Sequence, residues 1–298
     1  MAEGGGFSTF LWGLFLMGVA FIVLLYLYQE SLLYIPTVPG LQRDPDTNPA
    51  PYRSPKDQRL EYEDVWVKTP DGEKLHAWWV PYHTSKEVPT LLFLHANAGN
   101  MGIRIPNTAQ MLQKLHVNVF MLEYRGYGKS TGTPSERGLK TDGQAALDYL
   151  VTRTDLDPKR IILFGRSLGG AVAINTAHNN MDKLCACIIE NSFTSISDMV
   201  DHMFGFLRFF KALVLRMEWR SVDLIPQITT PILFLSSAED EIVPPVHMQR
   251  LFERADKSLF KEMKVYARAT HNDLFMVGGD AYYEDMRNFI EKVARPHK

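Results

Sequence analysis

Cysteine is scarce in this chain: 298 residues contain two, Cys185 and Cys187. They stand two apart in an apolar run, where strand geometry sends their side chains to opposite faces, so no disulfide framework is expected. An excess of one charge is also missing. Thirty-two basic against thirty-four acidic side chains leave a formal charge of −2. That leaves no field for gripping nucleic acid or an anionic bilayer, and any partner must be recognised locally. No HExxH or paired CxxC spacing occurs, so neither a metal site nor a cofactor is expected. Gly126-Tyr127-Gly128-Lys129-Ser130 imitates the end of a P-loop, but Glu123 occupies the place of the first glycine, so no phosphate cradle is specified. There is no N-x-Ser/Thr acceptor, no repeat and no low-complexity tract.

What is present is the make-up of a globular protein, 46% hydrophobic and 22% charged, which rules out a disordered or collagenous chain. One long apolar run breaks that average. Phe7 to Tyr28 carries no charge, and at about 1.5 Å per residue a helix of that length crosses a hydrocarbon core of roughly 30 Å. Trp12 near one end and Tyr26, Tyr28 and Tyr34 near the other suit interfacial belts. A cleaved signal peptide fits less well, because no Lys or Arg precedes the run and no small-x-small site follows it. A single-pass anchor in an endomembrane or the plasma membrane is expected. The side is open, since Arg43 is the first basic residue in the chain and gives the positive-inside rule almost nothing to weigh. From residue 29 to Arg59, six prolines, Pro36, Pro39, Pro45, Pro49, Pro51 and Pro55, predict an extended stalk, with the folded domain running from 60 to 298.

Within that domain, short apolar runs alternate with helical patterns, the signature of an α/β sheet flanked by helices. Leu60–Lys68 and Lys74–Val80 flank the turn signal Asp71-Gly72 and predict an opening antiparallel pair. Further strands are expected at Thr90–Leu94, Val117–Glu123, Ile161–Phe164, Cys185–Glu190, Ile232–Ser236 and Lys261–Tyr266, with helices between them. Asp198–Arg220 stands apart as a greasy helical insert with spaced basic residues. It is either an ordinary packed helix or a cap over an acyl-chain pocket.

Ile161-Ile162-Leu163-Phe164, then Gly165-Arg166-Ser167-Leu168-Gly169, then a helical stretch, is strand, G-x-S-x-G and helix in the order that a nucleophile elbow requires. Cβ atoms at 165 and 169 would collide with neighbouring backbone, so Gly165 and Gly169 let Ser167 occupy a tight turn above the sheet. A serine nucleophile needs a base and an orienting acid. His271 follows the last expected strand and is the candidate base. Asp240, presented by a loop stiffened by Pro244-Pro245, is the candidate acid, with Glu239, Glu241 and Glu190 as rivals. The oxyanion hole is expected from the amides of Leu168 and Asn97, the latter in the loop His95 to Asn100. Candidate lining residues of the substrate pocket are His95, Phe193, Met203, Phe206 and Phe210.

The stretches LLYIPTVPG after the anchor, His95–Asn100, YRGYGKS at 124–130, FGRSLGGAVAI at 164–174, ENSFTSI at 190–196, DEIVPP at 240–245 and THND at 270–273 resemble the membrane-anchored α/β-hydrolases of the bud-emergence type, including the Wavy growth proteins. The likeness covers nearly the whole chain. It implies the α/β-hydrolase fold: a mostly parallel eight-stranded sheet with flanking helices and a short helical cap. The family's charge-relay positions fall on Ser167, Asp240 and His271. Where the family has His-Gly-Asn, this chain has His95-Ala96-Asn97, a substitution that is strained if position 96 requires a positive φ; Ser237 likewise replaces a frequent glycine. The expected function is a membrane-anchored serine hydrolase of ester or thioester bonds in acyl lipids or S-acylated proteins. The alternative is a catalytically weak tethered scaffold that binds a partner through its insert.

Overall fold

The structure is a computed structural model and describes residues 4–203, 205 and 211–294. It opens with α1 (Gly4–Leu33), whose segment Ser8–Leu33 is 26 residues long and apolar enough to cross a membrane. The helix runs past the expected end at Tyr28. No proline interrupts it before Pro36, and that ring disfavours helical backbone at Ile35, which stops it.

Eight strands follow: β1 (Glu63–Lys68), β2 (Lys74–Val80), β3 (Thr90–Leu94), β4 (Asn118–Leu122), β5 (Ile161–Arg166), β6 (Ala186–Glu190), β7 (Ile232–Ser237) and β8 (Lys261–Tyr266). They form one sheet in the order β1-β2-β4-β3-β5-β6-β7-β8. β1 and β2 pair antiparallel through the turn at Gly72, β2 pairs antiparallel with β4, and the remaining neighbours are parallel. β3 to β6 are buried at every position, as parallel strands covered on both faces must be. β1 alternates exposed and buried positions, as an edge strand with one wet face does.

The helices are α2 (Ile105–Leu115), α3 (Glu136–Thr152), α4 (Leu168–Asn179), α5 (Ile196–Met203), α6 (Lys211–Val214), α7 (Ser221–Leu224), α8 (Val246–Arg254), α9 (Leu274–Val277) and α10 (Gly279–Val293). One core unites the sheet with Leu139 and Leu147 of α3, Val172 of α4 and Met248 of α8; the other unites it with Met111 of α2 and Phe289 of α10. The chain steps from β3 to β4 on one side and later to β5 on the other. The carboxyl ends of β3 and β5 therefore flank a topological switch point, where α/β sheets open a ligand crevice.

Two expectations change. The proline-rich segment is not an extended stalk: it contains 3₁₀ turns at Pro45–Thr47 and Pro55–Gln58 and lies against the domain as a strap. Tyr34 is buried in the core, Asn48 Nδ2 donates to Asn100 Oδ1 at 2.8 Å, and Lys129 pairs with Asp46 at 2.7 Å. Proline sets local φ, but the side chains between the prolines decide where the chain lies. Residue 60 therefore marks no separation between strap and domain. The insert is α-helical only in α5 and α6 among its described residues. From Leu215 to Arg220 it runs without helix, and the burial of Met217 and Trp219 in the core pulls that stretch against the protein.

Candidate active site

The loops after β3, β5, β7 and β8 meet at the switch point. Ser167 stands between β5 and α4 with φ 53° and ψ −118°, a backbone that a side chain adopts only under constraint. Close packing supplies the constraint. A Cβ on Gly165 would lie 2.3 Å from the Gly169 carbonyl oxygen, and one on Gly169 would lie 2.0 Å from that of Leu94. The Ser167 amide donates to Glu190 O at 2.8 Å, and Ser192 Oγ donates to Ser167 O at 2.9 Å. The hydroxyl thus sits over the opening turn of α4, where helical N–H groups lack carbonyl partners one turn back.

Ser167 Oγ lies 3.0 Å from His271 Nε2, and His271 Nδ1 lies 2.7 Å from Asp240 Oδ2. All three residues are buried. The other carboxylate oxygen of Asp240 accepts the amides of Ile242 at 3.0 Å and Val243 at 2.7 Å, which fixes the acid's orientation. The rival carboxylates are engaged elsewhere. Glu190 is buried against Arg166 and accepts from Tyr282 Oη at 2.6 Å; Glu241 accepts the backbone amide of His271 at 3.1 Å; Glu239 is exposed. The arrangement permits His271 to withdraw the Ser167 proton through one nitrogen while Asp240 holds the other.

Several supporting residues escaped the sequence reading. Asn191, at φ 45°, donates to the His271 carbonyl at 3.2 Å and to Ser237 Oγ at 2.9 Å, and Ser237 Oγ donates to Thr270 O at 2.8 Å. The serine that replaces a frequent glycine therefore braces the histidine loop. Ala96 causes no strain, because the positive φ in its loop falls on Gly99, at +76°. Arg104 donates to Ala98 O at 2.8 Å, and Tyr127 Oη donates to Asn97 Oδ1 at 2.8 Å. The only available signal was that Tyr127 and Asn191 fall inside stretches the resemblance had marked.

The pocket expectation needs correction. His95 is buried on Tyr124, its ring centroid 4.3 Å away, with Nε2 3.3 Å from Glu123, so it packs inward as core. Phe193 belongs to the core, Met203 is 54% exposed at the end of α5, and Phe206 and Phe210 lie outside the described residues. A cavity of about 300 Å³ lies between β8 and α10, with a charged lining, and one of about 250 Å³ lies beneath the insert, lined by Ser197, Lys211, Leu215, Met217, Glu218 and Arg220. Neither touches the triad, and the second adjoins the insert. Among the described residues, no group of three or more His, Cys, Asp or Glu could hold a metal ion.

The α/β-hydrolase family model matches residues 89–216. The chain is 43% identical over 291 residues to the α/β-hydrolase domain-containing protein WAV2 of Arabidopsis thaliana, covering 93% of this chain and 92% of that one. The chain belongs to the α/β-hydrolase family. Protein bem46 of Schizosaccharomyces pombe is 40% identical over 89% of this hydrolase and 87% of its own length. An uncharacterised membrane protein of Saccharomyces cerevisiae is 35% identical over 95% and 96%. Among solved structures, an esterase of Pyrococcus furiosus covers 88% of this α/β-hydrolase and all of its own chain, with a TM-score of 0.69 at 21% identity, a likeness of fold.

Proposed function

We propose that this α/β-hydrolase is a membrane-anchored serine hydrolase that cleaves ester or thioester bonds of acyl lipids or S-acylated proteins. The observation that carries the reading is the continuous line from Ser167 Oγ through His271 to Asp240 on a strained elbow. His271 Nε2 takes the Ser167 proton as Oγ attacks the carbonyl carbon. The amides of Leu168 and Asn97 receive the oxyanion. The intermediate then expels an alcohol or thiol, which leaves with the proton from His271. Water, deprotonated by the same imidazole, attacks the acyl-enzyme, frees the acid and restores the serine. Asp240 fixes the tautomer and stabilises the imidazolium. The apolar helix and the adjoining insert support a lipidic substrate class.

A fluorophosphonate probe applied to the full-length protein tests this. Wild type should label and Ser167→Ala should not; a folded wild type that stays unlabelled overturns the proposal.

A further inference from the structure

The last turns of α1 do not leave the domain freely. Leu33 O, one of the terminal carbonyls that no helical N–H can reach, accepts from Asn97 Nδ2. Asn97 Oδ1 in return accepts the Ile35 amide at 3.3 Å, and Gly99 N–H donates to Ile35 O at 2.9 Å. Residues 33–35 and 97–99 are therefore laced together. The loop so held is the one that follows β3, at the crevice, and Tyr127 Oη grips the same carboxamide oxygen from inside the protein. Strap and loop meet across 62 positions of sequence. Asn97 thus uses both ends of its side chain on the helix terminus, and its backbone N–H takes no part in this lacing.

A second set of bonds ties the same helix to the insert. Gln29 Oε1 accepts the amides of Arg216 at 2.8 Å and Met217 at 3.2 Å, and Nε2 donates to Val214 O at 3.0 Å. Trp219 Nε1 donates to Tyr34 Oη at 3.1 Å inside the core. One helix end thus holds both the loop after β3 and the insert. In a bilayer the depth and tilt of α1 are set by its apolar span and interfacial aromatics, so the surroundings of the helix reach the loop through these bonds.

We infer that the Asn97 carboxamide is a positioning group that fixes the oxyanion loop to the end of α1, so that full turnover requires the helix to be seated. This rests on the hydrolase reading. The chemistry needs amides placed to within a fraction of an ångström of the developing charge, and a misplacement of about 1 Å costs up to about a hundredfold.

The test uses the full chain in lipid nanodiscs with a short-chain p-nitrophenyl ester, whose acyl group is too short to need the insert. End-point fluorophosphonate labelling counts competent sites. Asn97→Ala retains the amide and loses the lacing, and should lower kcat per labelled site about 10- to 100-fold with KM within about twofold. Ile35→Pro removes the donor on the helix side of the lacing and should lower kcat by a smaller factor. The double variant should be no slower than Asn97→Ala, because both changes cut one connection. Unchanged kcat per site in Asn97→Ala, or losses that multiply in the double variant, overturns the inference while leaving the hydrolase reading intact. Should Asn97→Ala fail to fold, Tyr127→Phe and Ile35→Pro carry the same comparison, and unchanged kcat in both overturns it. A folded wild type that neither labels nor hydrolyses the ester overturns the hydrolase reading and this inference with it.

Discussion

The two flanks of the crevice are built differently. On the histidine flank the braces reach in from neighbouring strand ends and the loops that follow them: Asn191 after β6, Ser237 at the end of β7, and Asp240 and Glu241 in the next loop. The sheet itself holds that flank. On the opposite flank, the loop from His95 to Asn100 is held by Tyr127 and Arg104 and also by a helix end and strap from the beginning of the chain, which hold the insert as well. The first flank is tied to the sheet alone; the second is tied in addition to one long, largely exposed helix. On the proposed reading, general-base chemistry is independent of the seating of α1, and stabilisation of the oxyanion is coupled to it.

The sharpest way to break this comparison is at the acid. Asp240→Asn keeps the shape and loses the charge that orients His271, and kcat should fall by about 10⁴-fold on any ester, irrespective of acyl length or lipid. A loss that varied with the lipid would show that the histidine flank is not independent of that seating. Gln29→Ala, on the other flank, leaves the Arg216 and Met217 amides without their acceptor. It should raise KM for long-chain esters several-fold more than for short ones, because the loosened insert meets only the longer chains. Steady-state kinetics across an acyl-length series check this, and a uniform change would deny the insert its place as an acyl wall.

The smallest effect concerns the base of the insert, where His247 Nδ1 meets Thr194 Oγ1 at 2.7 Å and Thr194 donates to Asp198 at 2.6 Å. Burial holds His247 below its ordinary value of 6.5, against the opposing pull of Asp198. As pH falls through 6.5 the unfolded chain takes up this proton while the folded one resists, so its contribution to stability is complete above 6.5 and shrinks below it. Tm should decline below that pH, and His247→Gln should flatten the decline in thermal scans. An identical slope in the variant would mean that the joint between α5 and α8 does not sense protons.

Legibility in the sequence followed the same division. β2, β3 and β8 were read to the residue; an unbroken apolar run marks β3 locally, and a turn signal marks the start of β2. Ser167, Asp240 and His271 were nominated from three short motifs, and the geometry brings them together. The strap, by contrast, was read from its prolines as extended, and His95 was read as facing substrate when it packs on Tyr124. Each of those misreadings concerned a side chain whose partner is remote in sequence.

By itself the sequence determined what depends on a few consecutive residues: the apolar helix, the alternation of strands and helices, and the elbow, whose glycines answer a steric demand within the turn and against the adjoining strand end. Tertiary structure decided which carboxylate reaches the imidazole, what Asn191 and Ser237 brace, and that Asn97 binds the end of α1. Those outcomes depend on distances between segments tens to nearly two hundred positions apart, which only the packing of sheet, strap and insert brings within hydrogen-bonding range.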